Sequence, residues 1–219
     1  MIDMDNELDD LLSAFEADCD DALRIFYHTM SLYNTRPDIG ITADMKDMII
    51  ENIIVKIWNR WERFLEDTFI AYMMGKHSTN GDTVHSFVAP IDEMHAYDMV
   101  KNVAMYPDWS DVDKVVKNAK NFFENKGPFI HLENLRSTIK EIKTVRNAIA
   151  HSSRSAQLNF EQLVRGKTGR SPQGVTPAIF LSERKAGRAQ NDPIYLQFYI
   201  DHLKNTARML IEFHSENSM

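Results

Sequence analysis

The chain has 219 residues, a formal net charge of −7 and one cysteine, Cys19. That length suits one domain of about 100–200 residues with an insertion, or one large domain. A single cysteine excludes internal disulfides and cysteine-based metal sites, and no apolar run reaches the roughly 18 residues of a membrane span.

Hydrophobic residues make up 43% and charged residues 26%, an ordinary globular balance. The opening MIDMDNELDD is acidic and lacks a signal-peptide shape, so the chain reads as cytoplasmic. Charge is unevenly spread. Residues 1–22 hold nine acidic groups and no basic ones, and removing their −9 from the total of −7 leaves +2 for the rest. An overall acidic balance does not exclude a nucleic-acid partner when basic residues are concentrated in one segment.

Residues 6–33 read as a long helix, with Leu8, Leu11, Leu12, Phe15, Cys19, Ala22, Phe26, Met30 and Tyr33 forming its stripe. Its early acids favour the positive helix N-terminus. They form either a solvated face or a cover for a basic surface, on a partner or on the chain's own insertion. Asn34 to Gly40, with Pro37, ends this N-terminal segment of residues 1–40.

A second helix spans about 43–75, with Thr42 as N-cap and Gly75 as stop. Its apolar face, from Ile50 through Trp58, Trp61, Phe64 and Phe69 to Tyr72, reads as core in preference to a base-stacking platform. Residues 76–90 are a loop by composition, and 91–103 form a shorter helix. Ser110 with Asp113 predicts a capping box for a helix through about 123. Asn125-Lys126-Gly127-Pro128 is a turn.

The next helix opens at His131, with Leu132, Leu135, Ile139, Ile142, Val145 and Ile149 on one face, and it ends in Arg146-Asn147-Ala148-Ile149-Ala150-His151. A short helix within 158–164 follows. Residues 166–191, with four glycines and two prolines, read as a flexible basic insertion. Over 165–190, Arg165, Lys167, Arg170, Arg184, Lys185 and Arg188 stand against Glu183 alone. Asp192-Pro193 predicts an N-cap followed by Pro at the first position of a last helix, about 193–214. The fold class is all-α. Long helices with short connections predict an antiparallel helical bundle, one domain over 1–219, with the basic loop inserted before the last helix.

Several chemistries can be set aside. Gly166-Lys167-Thr168 resembles the end of a P-loop, but position 161 is Glu and no strand precedes it. There is no Gly-x-Ser-x-Gly elbow. Glu93-Met94-His95 and Glu212-Phe213-His214 have the wrong spacing for a di-iron bundle. Asp92, Glu93, His95 and Asp98 make at best an adventitious metal cluster, so no metal or cofactor is expected.

The Arg-Asn-x-x-x-His cluster has two readings. In one it is a helix end, where His151 helps satisfy the last carbonyls and Arg146 makes an ion pair. In the other it performs metal-free RNA cleavage. A histidine titrating near neutral pH can take the proton from a ribose 2′-hydroxyl. An arginine can stabilise charge developing on the phosphate, and Asn147 can orient either group or bond the phosphate. Arg146 and His151 are five apart, which at about 100° per residue points them about 140° away from each other. Two copies meeting across a symmetric interface could converge them.

Arg, Asn and His at this spacing, near the end of a helix in an all-α chain, resemble the HEPN superfamily. The second helix, WNRWERFLEDTFIAYMMG, resembles the aromatic-rich helix of its RiboL-PSP group, with an embedded acid and a terminal glycine. The resemblance covers about 45–152, with 192–214 as the closing helix. The acidic first helix and the 166–191 insertion match no named pattern. The resemblance implies a helical bundle that dimerises with two motifs facing each other. It implies metal-independent endoribonuclease activity, often in toxin–antitoxin or anti-phage defence systems, hence RNA and an antitoxin or defence partner. Arg146, Asn147 and His151 carry over by position as catalytic residues, and Glu62 as an auxiliary acid. Lys167, Arg170, Arg184, Lys185 and Arg188 are read from their charge as an RNA-binding arm. Some members of the superfamily do not cleave RNA. The alternative is therefore a helical dimerisation or RNA-binding module, and the intact Arg-Asn-His set favours the enzyme.

Overall fold

The long apolar stripes do form helices, and the residues that bracket them act as caps. In the computed structural model, which describes residues 7–103, 107–169 and 173–214 (without the side chains of 102 and 103), eight α-helices and two 3-10 segments are present. These are α1 (Glu7–Thr35), α2 (Ala43–Met73), α3 (Glu93–Val103), α4 (Val112–Phe122), α5 (His131–Ala150), α6 (Arg154–Thr168), α7 (Pro177–Glu183) and α8 (Tyr195–Ile211). Among the described residues there is no β-strand, only three isolated bridges. The fold is all-α, and no described helix is long and apolar enough to cross a membrane.

Thr42 caps α2 by accepting from the Met45 amide at 3.2 Å. Gly75 follows the helix at φ 81°, a left-handed conformation that costs glycine no Cβ clash. At α4 the cap is Asp111, whose carboxylate accepts from the Asp113 and Lys114 amides. Ser110 instead turns its hydroxyl to Asp108, so the capping box predicted at Ser110 is not formed. The expected Asp192 cap is also absent. Asp192 accepts from the Ala189 amide at 2.7 Å, closing a loop, and α8 begins only at Tyr195.

The chain divides into two compact units: residues 1–16, 60–140 and 203–219 in unit 1, and 17–59 and 141–202 in unit 2. In unit 1 an aromatic cluster gathers on Phe69, with the rings of Trp109, Phe122, Phe123 and Phe129 at 4.9–5.8 Å. Tyr72, also buried there, donates its hydroxyl to the Leu210 carbonyl at 2.7 Å. In unit 2, Ile50, Ile54, Ile57 and Trp58 are fully buried, as are Ile142 and Val145 of α5. Phe180 of α7 stacks on Tyr195 of α8 at 4.3 Å and meets Phe160 of α6 edge-on. The aromatic face of α2 is core, as the spacing predicts.

The segment 166–191 is not one continuous loop. Ser153 caps a 15-residue α6 that runs to Thr168 and ends on Gly169 in the left-handed region. Thr176 caps α7, which buries Ala178, Phe180, Leu181 and Ser182. Phe180 and Leu181 supply apolar burial that outweighs the loop-like composition around them. The remainder, 184–195, is tied at its base by Tyr195 N–H to Arg184 O and Ala186 N–H to Pro193 O, both 2.9 Å.

Candidate functional site

α5 positions the motif. Leu132, Ile139, Ile142 and Val145 bury its apolar stripe, and the helix stops at Ala150. Ser153 then starts α6, leaving 151–153 as a short non-helical link. Arg146 and Asn147 stand on the last turn, half-buried, with Arg146 Nη1 donating to Asn147 Oδ1 at 3.2 Å. His151 is the first residue past the helix. Its amide still bonds Asn147 O at 3.0 Å, but its imidazole is exposed. Its backbone has left the helix, so the ideal angle between positions 146 and 151 does not strictly apply.

Neither part of the helix-end reading is present among the described residues. Arg146 makes no ion pair, and its Nε is buried without an acceptor. The His151 ring makes no hydrogen bond to a carbonyl or to any other described group. A shielded guanidinium N–H without an acceptor is costly, and an anion supplied from outside the chain would offset that cost. Glu141, the carboxylate nearest to Arg146 in the sequence of α5, is committed elsewhere. It pairs with Lys167 Nζ at 2.6 Å and accepts from the Tyr199 hydroxyl at 3.3 Å. Burial, with the Glu141 charge beside it, pushes the Tyr199 phenol well above its ordinary value, so it stays a neutral donor. Glu141 and Tyr199 carry no motif signal, because they come together only through α5 and α8.

The other predicted site residues divide. Lys167 sits on the last turn of α6, engaged by Glu141. Arg184 follows α7, half-buried, its Nε buried without an acceptor. Lys185 donates to the Gln190 carbonyl of its own loop. Arg188 is exposed and its side chain makes no hydrogen bond or ion pair among the described residues. Of the five cations, Lys167 is ion-paired, Lys185 is folded onto its loop, Arg184 is half-buried, Arg188 is exposed and Arg170 lies outside the described residues. Glu62 is half-buried on α2, in unit 1, whereas Arg146, Asn147 and His151 belong to unit 2.

Among the described residues no group of three His, Cys, Asp or Glu side chains is placed to hold a metal ion. Asp92 accepts from the His95 amide at 2.8 Å and so acts as a cap for α3. A cleft of about 870 Å³ in unit 1, bordered by His85, Lys120, His131 and His214, contains none of the motif residues. Comparison with family models, with curated proteins and with solved structures finds no match.

Proposed function

We propose that the chain is a metal-independent endoribonuclease of the HEPN type, acting as a homodimeric bundle and serving as a toxin or anti-phage effector with a partner protein. The observation that carries this reading is the state of Arg146. It is a half-buried arginine with no carboxylate of its own, bonded to Asn147 and followed at the helix end by an unengaged, exposed His151.

In the reaction His151 accepts the proton of a ribose 2′-hydroxyl, and the 2′-oxygen attacks the adjacent phosphorus. The 5′-oxygen leaves and takes up a proton. The products are a 2′,3′-cyclic phosphate and a 5′-hydroxyl. Arg146 neutralises the charge that builds on the phosphoryl oxygens. The Asn147 carbonyl oxygen is occupied by Arg146, which leaves its amide N–H groups to bond the phosphate.

The test is incubation of wild-type, His151→Ala and Arg146→Ala protein with total RNA in EDTA. Cleavage by wild type alone is the expected result. Intact RNA in all three reactions would leave the helical interaction module as the better reading.

A further inference from the structure

Within unit 1, a groove of about 850 Å³ is bounded by the start of α1, the last turns of α2 and the start of α3. Its α2 wall is Arg63, Glu66, Asp67, Ile70 and Ala71, continued by Met74 just past the helix end. These recur every three or four residues, so the groove follows one face of α2 for three turns, about 16 Å at 1.5 Å per residue. The opposite lip carries Ile91 and Met94, which are 83% and 70% exposed, the two most exposed large apolar side chains among the described residues. Nothing described covers them.

The rim is acidic. Glu7, Glu66, Asp67, Asp92 and Glu93 line the groove against Arg63 alone. Lys76 pairs with Glu7 at 2.7 Å, and Arg63 is shared between Asp67 at 2.9 Å and Glu66 at 3.8 Å, so five carboxylates face two cations and Asp92 and Glu93 have no basic partner among the described residues.

We propose that this groove docks a basic amphipathic helix of a partner protein. The length of the α2 wall fits a helix laid lengthwise, with an apolar stripe on Met74, Ile91 and Met94 above the buried Ile70. Its flanking Lys or Arg residues meet Glu66, Asp92 and Glu93. The methionine thioethers repack around apolar side chains of differing shape. Phosphate-bearing surfaces are disfavoured by the same acidic rim. The inference stands apart from the ribonuclease reading, since no motif residue lines the groove.

The experiment is fluorescence anisotropy on the full chain with three labelled probes. These are a Leu/Lys peptide patterned as an amphipathic helix, its Leu/Glu twin, and a scrambled peptide of the same Leu/Lys composition. The patterned basic peptide should bind at least about ten-fold tighter than either of the others, and more weakly as salt rises. The double variant Ile91→Gln/Met94→Gln should lose about ten-fold, as should Asp92→Lys/Glu93→Lys. Ile91 and Met94 are exposed, so the melt of their double variant should match wild type, whereas Asp92→Lys/Glu93→Lys also removes the α3 cap and should melt lower. Met48→Gln, at an exposed apolar position in unit 2, should change nothing. Absence of binding, equal binding of the scrambled peptide, or unchanged affinity in the Ile91→Gln/Met94→Gln variant overturns the proposal.

Discussion

Arg146 separates stability from function in a measurable way. Its Nε is shielded and unbonded, so the folded chain gains little from the charge. Arg146→Met should leave the melting temperature unchanged or raise it, while cleavage falls by about 10²-fold or more, as for His151→Ala. Arg146→Lys should not restore the rate, because an ammonium lacks the planar fork that meets two phosphoryl oxygens. A melt lowered by several degrees would instead make Arg146 a structural residue. Tyr72 offers the opposite case. Tyr72→Phe strands the buried Leu210 carbonyl and should cost about 1–3 kcal/mol by urea unfolding. His131 adds a pH dependence. Burial lowers its folded value below the ordinary imidazole value, so the unfolded chain binds the proton more readily. Stability is therefore full above about pH 6.5 and declines as pH falls through that value. Melts of His131→Gln across that range should show a shallower acid-side decline than wild type, and parallel curves would contradict the assignment.

Elements were legible where one signal dominated. The apolar period of α2, with Thr42 before it and Gly75 after it, specified that helix to within two residues. At Ser110-Asp111 two adjacent residues could each cap α4, and the carboxylate took the role. α7 was hidden because seven residues give too little period, and the rings that meet Phe180 come from α6 and α8. The site divides the same way. Arg146 and Asn147 are neighbours in sequence and in space, whereas the partners that occupy Glu141 come from α6 and α8. The Asn-Lys-Gly-Pro turn was legible as a turn, but its severity was not. Asn125, Lys126 and Gly127 all have positive φ, and a Cβ on Gly127 would meet Val84 Cγ1 at 2.9 Å. Gly127→Ala should therefore cost about 1–3 kcal/mol, and more than Gly40→Ala, where a Cβ meets nothing. In the basic segment the pairing of each cation sets its expected contribution. Arg188→Gln should weaken RNA binding and flatten its salt dependence by about one unit of log–log slope. Lys167→Gln should do less to binding, because its charge is already engaged by Glu141. Equal effects of the two substitutions would mean that the Glu141 pair does not persist in solution.

At the scale of the whole molecule, the site on one chain presents an arginine and an asparagine on the last helical turn and a histidine on the link beyond it. General base and charge-stabilising group must both reach one phosphodiester, within about 3 Å of the atoms they serve. A two-fold axis beside the end of α5 would supply the second motif, and an interface of that symmetry closes a dimer without growing a filament. The prediction is a homodimer in solution whose activity depends on both copies. Mixing His151→Ala with Arg146→Ala protein, each inactive alone, distinguishes shared sites from separate ones. If each cleft draws its histidine from one chain and its arginine from the other, half of the clefts in a heterodimer keep both groups, and activity reappears on mixing. If each chain works alone, no cleft is complete and mixing restores nothing. The recovered activity should persist in EDTA, spare substrates carrying 2′-deoxyribose at the cut, and leave a cyclic phosphate. Light scattering at the assay concentration sets the reference, and a monomer that cleaves RNA would rule out the shared cleft while leaving the chemistry of His151 in place.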